Sequence, residues 1–175
     1  MNHADHVALL EKGVPGTGGL WADFGSGRGA FTLALAELVG QDAVLYSVDR
    51  NQAALQHQER ILQARFPNLE VHYLHRDFTQ PIGLPPLDGL IMANSLHFVK
   101  DKDQVLHAIR GHLKPDGRLI IVEYDVDSGN RWVPHPLSFT SWQRLADKVG
   151  FRQTRLLATH PSSFLKGFYA ALSLI

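Results

Sequence analysis

A glycine-rich turn directly after a short apolar run constrains this chain more than any other feature. The run Leu20–Phe24 is typical of a buried strand, and it is followed by Gly25, Gly27 and Gly29 and by a segment with helical spacing of its apolar residues, 28–39. A turn without side chains lets a ligand lie against main-chain N–H groups at a helix N-terminus. The sequence therefore predicts a strand, a ligand-binding turn and a helix in immediate succession.

Two acidic residues narrow the kind of ligand. Asp23 stands two residues before the first glycine, and Asp49 ends the next apolar run, 43–48. These carboxylates suit a ligand with hydroxyls and a cationic amine better than a dinucleotide, whose anionic pyrophosphate Asp23 would repel. An NAD(P)-binding oxidoreductase remains an alternative, because Gly25-x-Gly27-x-x-Ala30 fits the dinucleotide fingerprint.

The alternation of apolar segments predicts the fold class. Strands are expected at 20–24, 43–48, 71–74, 87–93, 118–124, 152–159 and 164–173, and helices at 4–11, 28–39, 51–65, 101–113 and 138–149. Strictly alternating strands and helices require a parallel sheet with helices on both faces. The last two strands are separated only by a turn around Pro161 and form a hairpin, so one of them is antiparallel. We predict an α/β three-layer sandwich whose seven-stranded, mostly parallel sheet ends in an antiparallel hairpin.

No repeat, low-complexity tract or linker divides the chain. One domain over residues 1–175 is therefore expected, with 1–19 forming a short helix and a glycine-rich segment. The segment Lys114–Gly117 is expected to be a turn before the fifth strand.

Composition excludes several functional classes. Lysines plus arginines equal aspartates plus glutamates at 17 each, which gives no electrostatic argument for an obligatory nucleic-acid partner. The absence of cysteine excludes disulfides and thiolate metal sites, and the ten histidines are too scattered to predict a metal centre. The N-terminus lacks a signal-peptide pattern and no apolar run is long enough to cross a membrane. A cytoplasmic protein without a membrane partner is expected.

Polar residues follow the predicted strands where each strand ends. In an open parallel sheet, ligands bind beyond the carboxyl ends of the strands, so these segments should converge in one crevice. They are Asp23–Gly27, Asp49–Arg50, Asp77–Phe78, Asn94–His97 and Tyr124–Asp125.

Taken in this order, and together with Lys114-Pro115-Asp116-Gly117, these segments resemble a class I S-adenosylmethionine-dependent methyltransferase. The similarity spans roughly residues 20–150, and the terminal hairpin is similar to the family's last two strands. Within the superfamily, the chain resembles the small-molecule, type 11-like domain. The resemblance implies a Rossmann-like fold, S-adenosylmethionine as cofactor with S-adenosylhomocysteine as product, and in-line transfer of a methyl group to an acceptor.

The resemblance also implies roles for individual residues. Asp49 would bind the two ribose hydroxyls of the cofactor, and Asp77 would accept from the adenine amino group. Asp23 would orient the glycine turn or meet the ammonium group. The complete set implied for the cofactor is Asp23, Phe24, Gly25, Ser26, Gly27, Asp49, Arg50, Asp77, Phe78, Asn94 and Ser95. The three aspartates also have structural alternatives, since each could cap a turn or a helix start.

The acceptor side is less constrained. His97 and Tyr124 are candidates for a general base or for lining the acceptor pocket, and the loop 125–137 is a candidate cover. The series Asn94–His97 departs from the Asn/Asp-Pro-Pro-Tyr/Phe signature of enzymes that methylate amino groups of nucleic acids. A small-molecule acceptor is therefore expected, while nucleic-acid and protein substrates stay open. The short N-terminal segment leaves two further hypotheses, a homodimer that covers the crevice and a non-catalytic cofactor-binding sensor or partner subunit.

Overall fold

The computed structural model describes residues 1–175. Strands and helices alternate along the chain as the sequence predicts. The strands are β1 (Gly19–Phe24), β2 (Ala43–Asp49), β3 (Glu70–His75), β4 (Leu87–Ala93), β5 (Leu113–Tyr124), β6 (Arg152–Pro161) and β7 (Gly167–Leu174). The helices are α1 (His3–Leu10), α2 (Ala30–Val39), α3 (Gln52–Arg65), α4 (Lys102–His112) and α5 (Phe139–Val149), with a 3₁₀ turn at Leu96–Phe98.

All seven strands form one sheet in the order β3-β2-β1-β4-β5-β7-β6. The five strands from β3 to β5 pair in parallel, whereas β7 is antiparallel to both β5 and β6. This arrangement confirms the predicted fold class, including the C-terminal hairpin. The strand order reverses between β1 and β4, and such a switch point opens a crevice at the carboxyl ends of the strands.

The prediction that Lys114–Gly117 forms a turn before the fifth strand is wrong, because these residues lie within β5. The segment continues β5, because Leu113 already pairs with Leu87 and the register then shifts before Gly89 pairs with Arg118. Asp116 adopts a left-handed conformation with φ 65°. The turn chemistry of this segment therefore produces an irregularity within a long strand rather than an interruption between elements.

Two apolar cores sandwich the sheet because its strands alternate their side chains between faces. On one face Trp21 and Ile91 join the buried residues of α1, α2 and α3. On the other face Ala22 and Met92 pack with α4 and α5, including the fully buried Trp142. Strands covered on both faces in this way are nearly all apolar, which is why the sequence signals them so clearly. No helix combines the length and apolarity needed to cross a bilayer.

Candidate active site

Two adjoining cavities occupy the switch point between β1 and β4. The first, of about 200 Å³, lies toward β2 and β3, and the second, of about 250 Å³, lies toward α1 and α2. Both are lined by Gly25 and Asn94, so they adjoin at these two residues, and we call the two cavities together the crevice. Of the predicted cofactor residues, the first cavity is lined by Gly25, Asp49, Arg50, Asp77, Phe78, Asn94 and Ser95, and the second by Asp23, Gly25, Ser26, Gly27 and Asn94.

The floor of the crevice at Gly25 admits only glycine. Its φ is 76°, in the left-handed region, and a Cβ added there would lie 2.4 Å from the Cβ of Ser95. The hydroxyl of Ser95 donates to the carbonyl of Phe24 over 2.7 Å and so holds the end of β4 against the turn. The ring of Phe24 is buried and lies outside both cavities. The structure therefore gives Phe24 a part in shaping the turn through its backbone.

Asp49 holds the glycine turn in place. One carboxylate oxygen accepts from the backbone N–H of Gly27 over 2.7 Å, and the other accepts from that of Asn51, also over 2.7 Å. The helix cap is Asn51 itself, whose side chain accepts from Ala54. A carboxylate has room for about four hydrogen bonds, so each oxygen of Asp49 keeps capacity for a donor from the cavity.

Asp23 is buried at the bottom of the second cavity rather than bonded to the turn. Its side chain accepts from the hydroxyl of Thr32 over 2.6 Å, and only 2% of the residue is exposed. Burial raises the pKa of Asp23 to about 7, against the opposing Thr32 hydrogen bond and with a further contribution from the negative charge of Asp49. A cation bound in this cavity would favour the ionised form.

Asp77 combines a structural contact with an open face toward the crevice. One oxygen accepts from both the backbone N–H and the hydroxyl of Thr79, which lower the pKa of Asp77. Phe78 follows it and stacks on Phe24 with ring centroids 6.1 Å apart. Arg50 lines the same cavity and is exposed, with its backbone carbonyl accepting from His75.

Asn94 carries an unsatisfied polar atom where the two cavities meet. Its side-chain oxygen Oδ1 is buried and has no hydrogen-bond partner, and its backbone has φ 53°. A buried acceptor without a partner costs on the order of 1–3 kcal/mol, so such an atom points to a missing donor.

The N-terminal helix contributes a wall that the sequence did not indicate. Met1 and His6 line the second cavity beside Asp23. His6 packs its ring on Phe31 of α2 at 4.6 Å, and His3 pairs with Glu37 of the same helix. The apolar residues Leu9 and Leu10 explain why α1 docks, since both are buried. Nothing in the local sequence reveals which face of the sheet α1 reaches.

A buried histidine–glutamate pair lies behind the end of β4. The Nδ1 atom of His97 lies 2.7 Å from one carboxylate oxygen of Glu123, and the backbone N–H of His97 donates to the other over 3.1 Å. The side chain of His97 is 4% exposed and that of Glu123 is fully buried. A carboxylate accepts hydrogen bonds, so Nδ1 carries the hydrogen and Nε2 is left as a free acceptor.

Glu123 was missed from the sequence although a signal was present. It ends an otherwise apolar run, Leu119–Val122, in which a charge can be buried only with a partner. Tyr124, the other predicted candidate, packs 6.2 Å from His97 between ring centroids. The loop 125–137 contacts the same place, since the backbone N–H of His135 donates to the carbonyl of His97.

Comparison with known proteins identifies the family. A family model described as a methyltransferase domain matches residues 22–119, more than half of the chain. The chain therefore belongs to the methyltransferase domain family, within the class I S-adenosylmethionine-dependent superfamily, and the cofactor that the sequence predicts is that of the family. The narrower resemblance to the type 11-like domain stays a prediction, because the matched model is a type 12 one.

Among curated proteins, the chain is 31% identical over 105 residues to the ubiquinone/menaquinone biosynthesis C-methyltransferase of Teredinibacter turnerae. The match covers 58% of this chain and 41% of that enzyme. The chain thus spans about two fifths of the relative that it matches.

Solved structures share the fold. A S-adenosylmethionine-dependent methyltransferase from Aquifex aeolicus has a TM-score of 0.76 at 20% identity, over 98% of this chain and 89% of that one. The 1,6-didemethyltoxoflavin-N1-methyltransferase of Burkholderia thailandensis, solved with S-adenosylhomocysteine, has a TM-score of 0.76 at 18% identity, over 99% and 77% of the two chains.

The residues of the crevice fit the family's cofactor. S-adenosylmethionine has an adenosine end with hydroxyl and amino donors and an amino-acid end with an ammonium group. The first cavity offers the open oxygens of Asp49 and Asp77, and the second offers the buried carboxylate of Asp23. The unpartnered Oδ1 of Asn94 lies where the two cavities join.

Proposed function

We propose that this chain transfers a methyl group from S-adenosylmethionine to a small-molecule acceptor, and that its 175 residues act as one catalytic domain. The observation that carries the proposal is that the two cavities adjoin at Gly25 and Asn94. One cavity presents carboxylates suited to hydroxyls and the other a buried carboxylate suited to a cation. A single cofactor with both kinds of group accounts for the whole crevice.

In this proposal, different residues of the crevice bind different groups of the cofactor. Asp49 receives the ribose hydroxyls on the lone pairs that Gly27 and Asn51 leave free, and Asp77 receives the adenine amino group on the oxygen opposite Thr79. Gly25 keeps the floor flat enough for the cofactor to cross from one cavity to the other. Asp23 neutralises the ammonium group.

His97 is the general base of the proposed reaction. When bound, S-adenosylmethionine supplies an electrophilic methyl group, and its sulfur keeps the electron pair of the broken C–S bond. The acceptor's proton moves to Nε2 of His97, which leaves the electron pair that forms the new bond to the methyl carbon. Glu123 holds the ring by Nδ1 and stabilises the positive charge that this transfer creates. Alignment of donor and acceptor accounts for most of the remaining lowering of the activation barrier, on the order of 7–11 kcal/mol.

The names of the relatives favour a small acceptor. One is a C-methyltransferase of quinone biosynthesis and another methylates a nitrogen of a toxoflavin precursor. The first belongs to the biosynthesis of a small molecule, and the second was solved with a small-molecule acceptor bound. We infer the same class for this chain, without assigning the atom that receives the methyl group.

Labelled cofactor tests the function. The chain is incubated with S-adenosylmethionine carrying a ¹³C methyl group and a metabolite extract, and small-molecule products are analysed by mass spectrometry. We expect label in an extract component with the native chain and none with His97→Gln. Binding of S-adenosylhomocysteine without transfer to any component would favour the alternative of a cofactor sensor or partner subunit. Absence of binding would reject both.

A further inference from the structure

The two most exposed phenylalanine side chains of the molecule lie on either side of His97. Phe98 is 58% exposed and Phe164 is 50% exposed, whereas the other seven phenylalanines are buried or half-buried. Exposed aromatic area costs roughly 25 cal/mol per Å² that it leaves in contact with water. Their position near one site is therefore informative.

Ring contacts join these two side chains into one surface. The ring of Phe98 packs against His97 at 4.3 Å, His97 is followed by Tyr124 at 6.2 Å, and Tyr124 is followed by Phe164 at 5.9 Å. We call these four rings the aromatic strip. Phe168 supports it from below, 4.2 Å from Tyr124 and almost completely buried.

The aromatic strip is continuous with the cofactor crevice. Phe98 lines the first cavity together with Gly25, Asn94 and Ser95. A molecule lying along the strip therefore touches the cofactor cavity at one end and has the general base beneath its middle. The other end is formed by the turn between β6 and β7, which carries Phe164.

We propose that the aromatic strip is the acceptor-binding surface and that the acceptor is a planar, conjugated ring compound; this inference rests on the proposed function. The strip presents ring faces and edges. Such surfaces favour flat rings, since stacked and edge-to-face pairs stabilise beyond the burial of area. Phe98 and Phe164 are the specificity-determining residues in this arrangement.

A matched pair of probes separates planarity from apolarity. The probes are 2-naphthol and its fully saturated counterpart, decahydro-2-naphthol, titrated into the full chain saturated with S-adenosylhomocysteine. We expect 2-naphthol to bind about twofold to tenfold more tightly than the saturated alcohol. Phe98→Leu and Phe164→Leu keep an apolar side chain but remove a ring, so each should abolish most of that preference.

Phe66→Leu is the control variant. Phe66 follows α3 at the opposite edge of the sheet and lines neither cavity of the crevice. The Phe66→Leu substitution should therefore leave the affinities for 2-naphthol and for decahydro-2-naphthol unchanged. Thermal unfolding of the three variants shows whether any loss reflects misfolding, and Tyr124→Leu provides an independent removal of a ring.

Several results would overturn the proposal. They are equal affinities for the two probes, a preference that survives loss of both phenylalanine rings, and no binding of either probe. A dimer that sedimentation detects and Phe164→Asp dissociates would assign the strip to contact between two copies instead. Affinity for S-adenosylhomocysteine is measured on the same samples: its absence rejects the proposed function as well, whereas its presence without binding of 2-naphthol rejects only the acceptor surface.

Discussion

The proposed site has two halves, the cofactor crevice and the aromatic strip on the acceptor side, and they are held together by different means. On the cofactor half, side chains fix the backbone: Asp49 holds Gly27, and Ser95 holds Phe24. On the acceptor half, the exposed surface is made of rings, and hydrogen bonds to Glu123 hold His97 beneath it. The cofactor half is thus shaped by main chain and the acceptor half by side chains.

This difference has a consequence for substitution. A cofactor common to a family can be bound by a backbone turn, which tolerates little change at its glycines. An acceptor that varies between members can be bound by side chains, which can be substituted without moving the sheet. Changes on the two halves should therefore separate binding of the cofactor from transfer of the methyl group.

The largest expected effect lies on the acceptor half. His97→Gln removes the proton acceptor, and the turnover number for an acceptor that must lose a proton should fall about 10²-fold to 10⁴-fold. Affinity for S-adenosylhomocysteine, measured by calorimetry, should stay the same because His97 lines neither cavity. His135→Gln is the matched control, since His135 contacts His97 through its backbone. Equal turnover in the native chain and His97→Gln would remove the general base from the account.

A smaller effect is expected from two glycines on the cofactor half. Gly25→Ala combines left-handed strain with a Cβ 2.4 Å from Ser95, while Gly27→Ala has φ 53° but open space around its Cβ. Chemical unfolding should show a loss of about 2–5 kcal/mol for the first and about 1–2 kcal/mol for the second. Only Gly25→Ala should also weaken binding of S-adenosylhomocysteine strongly. Identical behaviour of the two variants would show that the close approach of Ser95 is unimportant.

The smallest effect concerns the pH dependence of Asp23. Because its pKa is raised to about 7 in the folded chain, the free energy of unfolding should fall as pH rises from about 4 to about 7, where only the unfolded chain has lost the proton. Binding of the cationic ammonium group requires the ionised form, so affinity for S-adenosylhomocysteine should rise about tenfold between pH 6 and pH 8.

Asp23→Asn should abolish both dependences. Adenosine, which lacks the ammonium group, serves as the matched ligand and should bind the native chain with little change over the same pH range. His6 lines the same cavity and has a pKa lowered by burial, so the comparison with Asp23→Asn assigns the effect to the carboxylate. A rise in affinity that persists in Asp23→Asn would contradict this assignment.

The sequence predicts the fold, and which residues line the crevice, for a physical reason. Strands buried on both faces give continuous apolar runs, and the predicted cofactor residues stand at their ends, as Asp23 and Asp49 do. The partners of those residues are harder to find. Thr32 lies on the helix that follows β1, and Glu123 stands 26 residues beyond His97. No local pattern shows which helix face or strand end meets Asp23 or His97.

The acceptor half is less predictable still. Phe98 and Phe164 have ordinary sequence surroundings, and their shared surface arises only because β5 and the β6–β7 turn meet beyond the end of β4. The predicted roles of the site residues in binding and catalysis stay predictions. The alternatives of a homodimer and of a macromolecular substrate also await measurement.

Titration of S-adenosylhomocysteine into the native chain, Asp49→Ala and Asp42→Ala tests the central claim most directly. Asp49 lines the crevice at the carboxyl end of β2, whereas Asp42 is an exposed aspartate just before the amino end of the same strand. Loss of charge-assisted hydrogen bonds to two hydroxyls should weaken binding to Asp49→Ala about a hundredfold, and Asp42→Ala should bind as the native chain does. No binding to the native chain, or equal binding to all three proteins, would contradict the proposal that this crevice holds the cofactor.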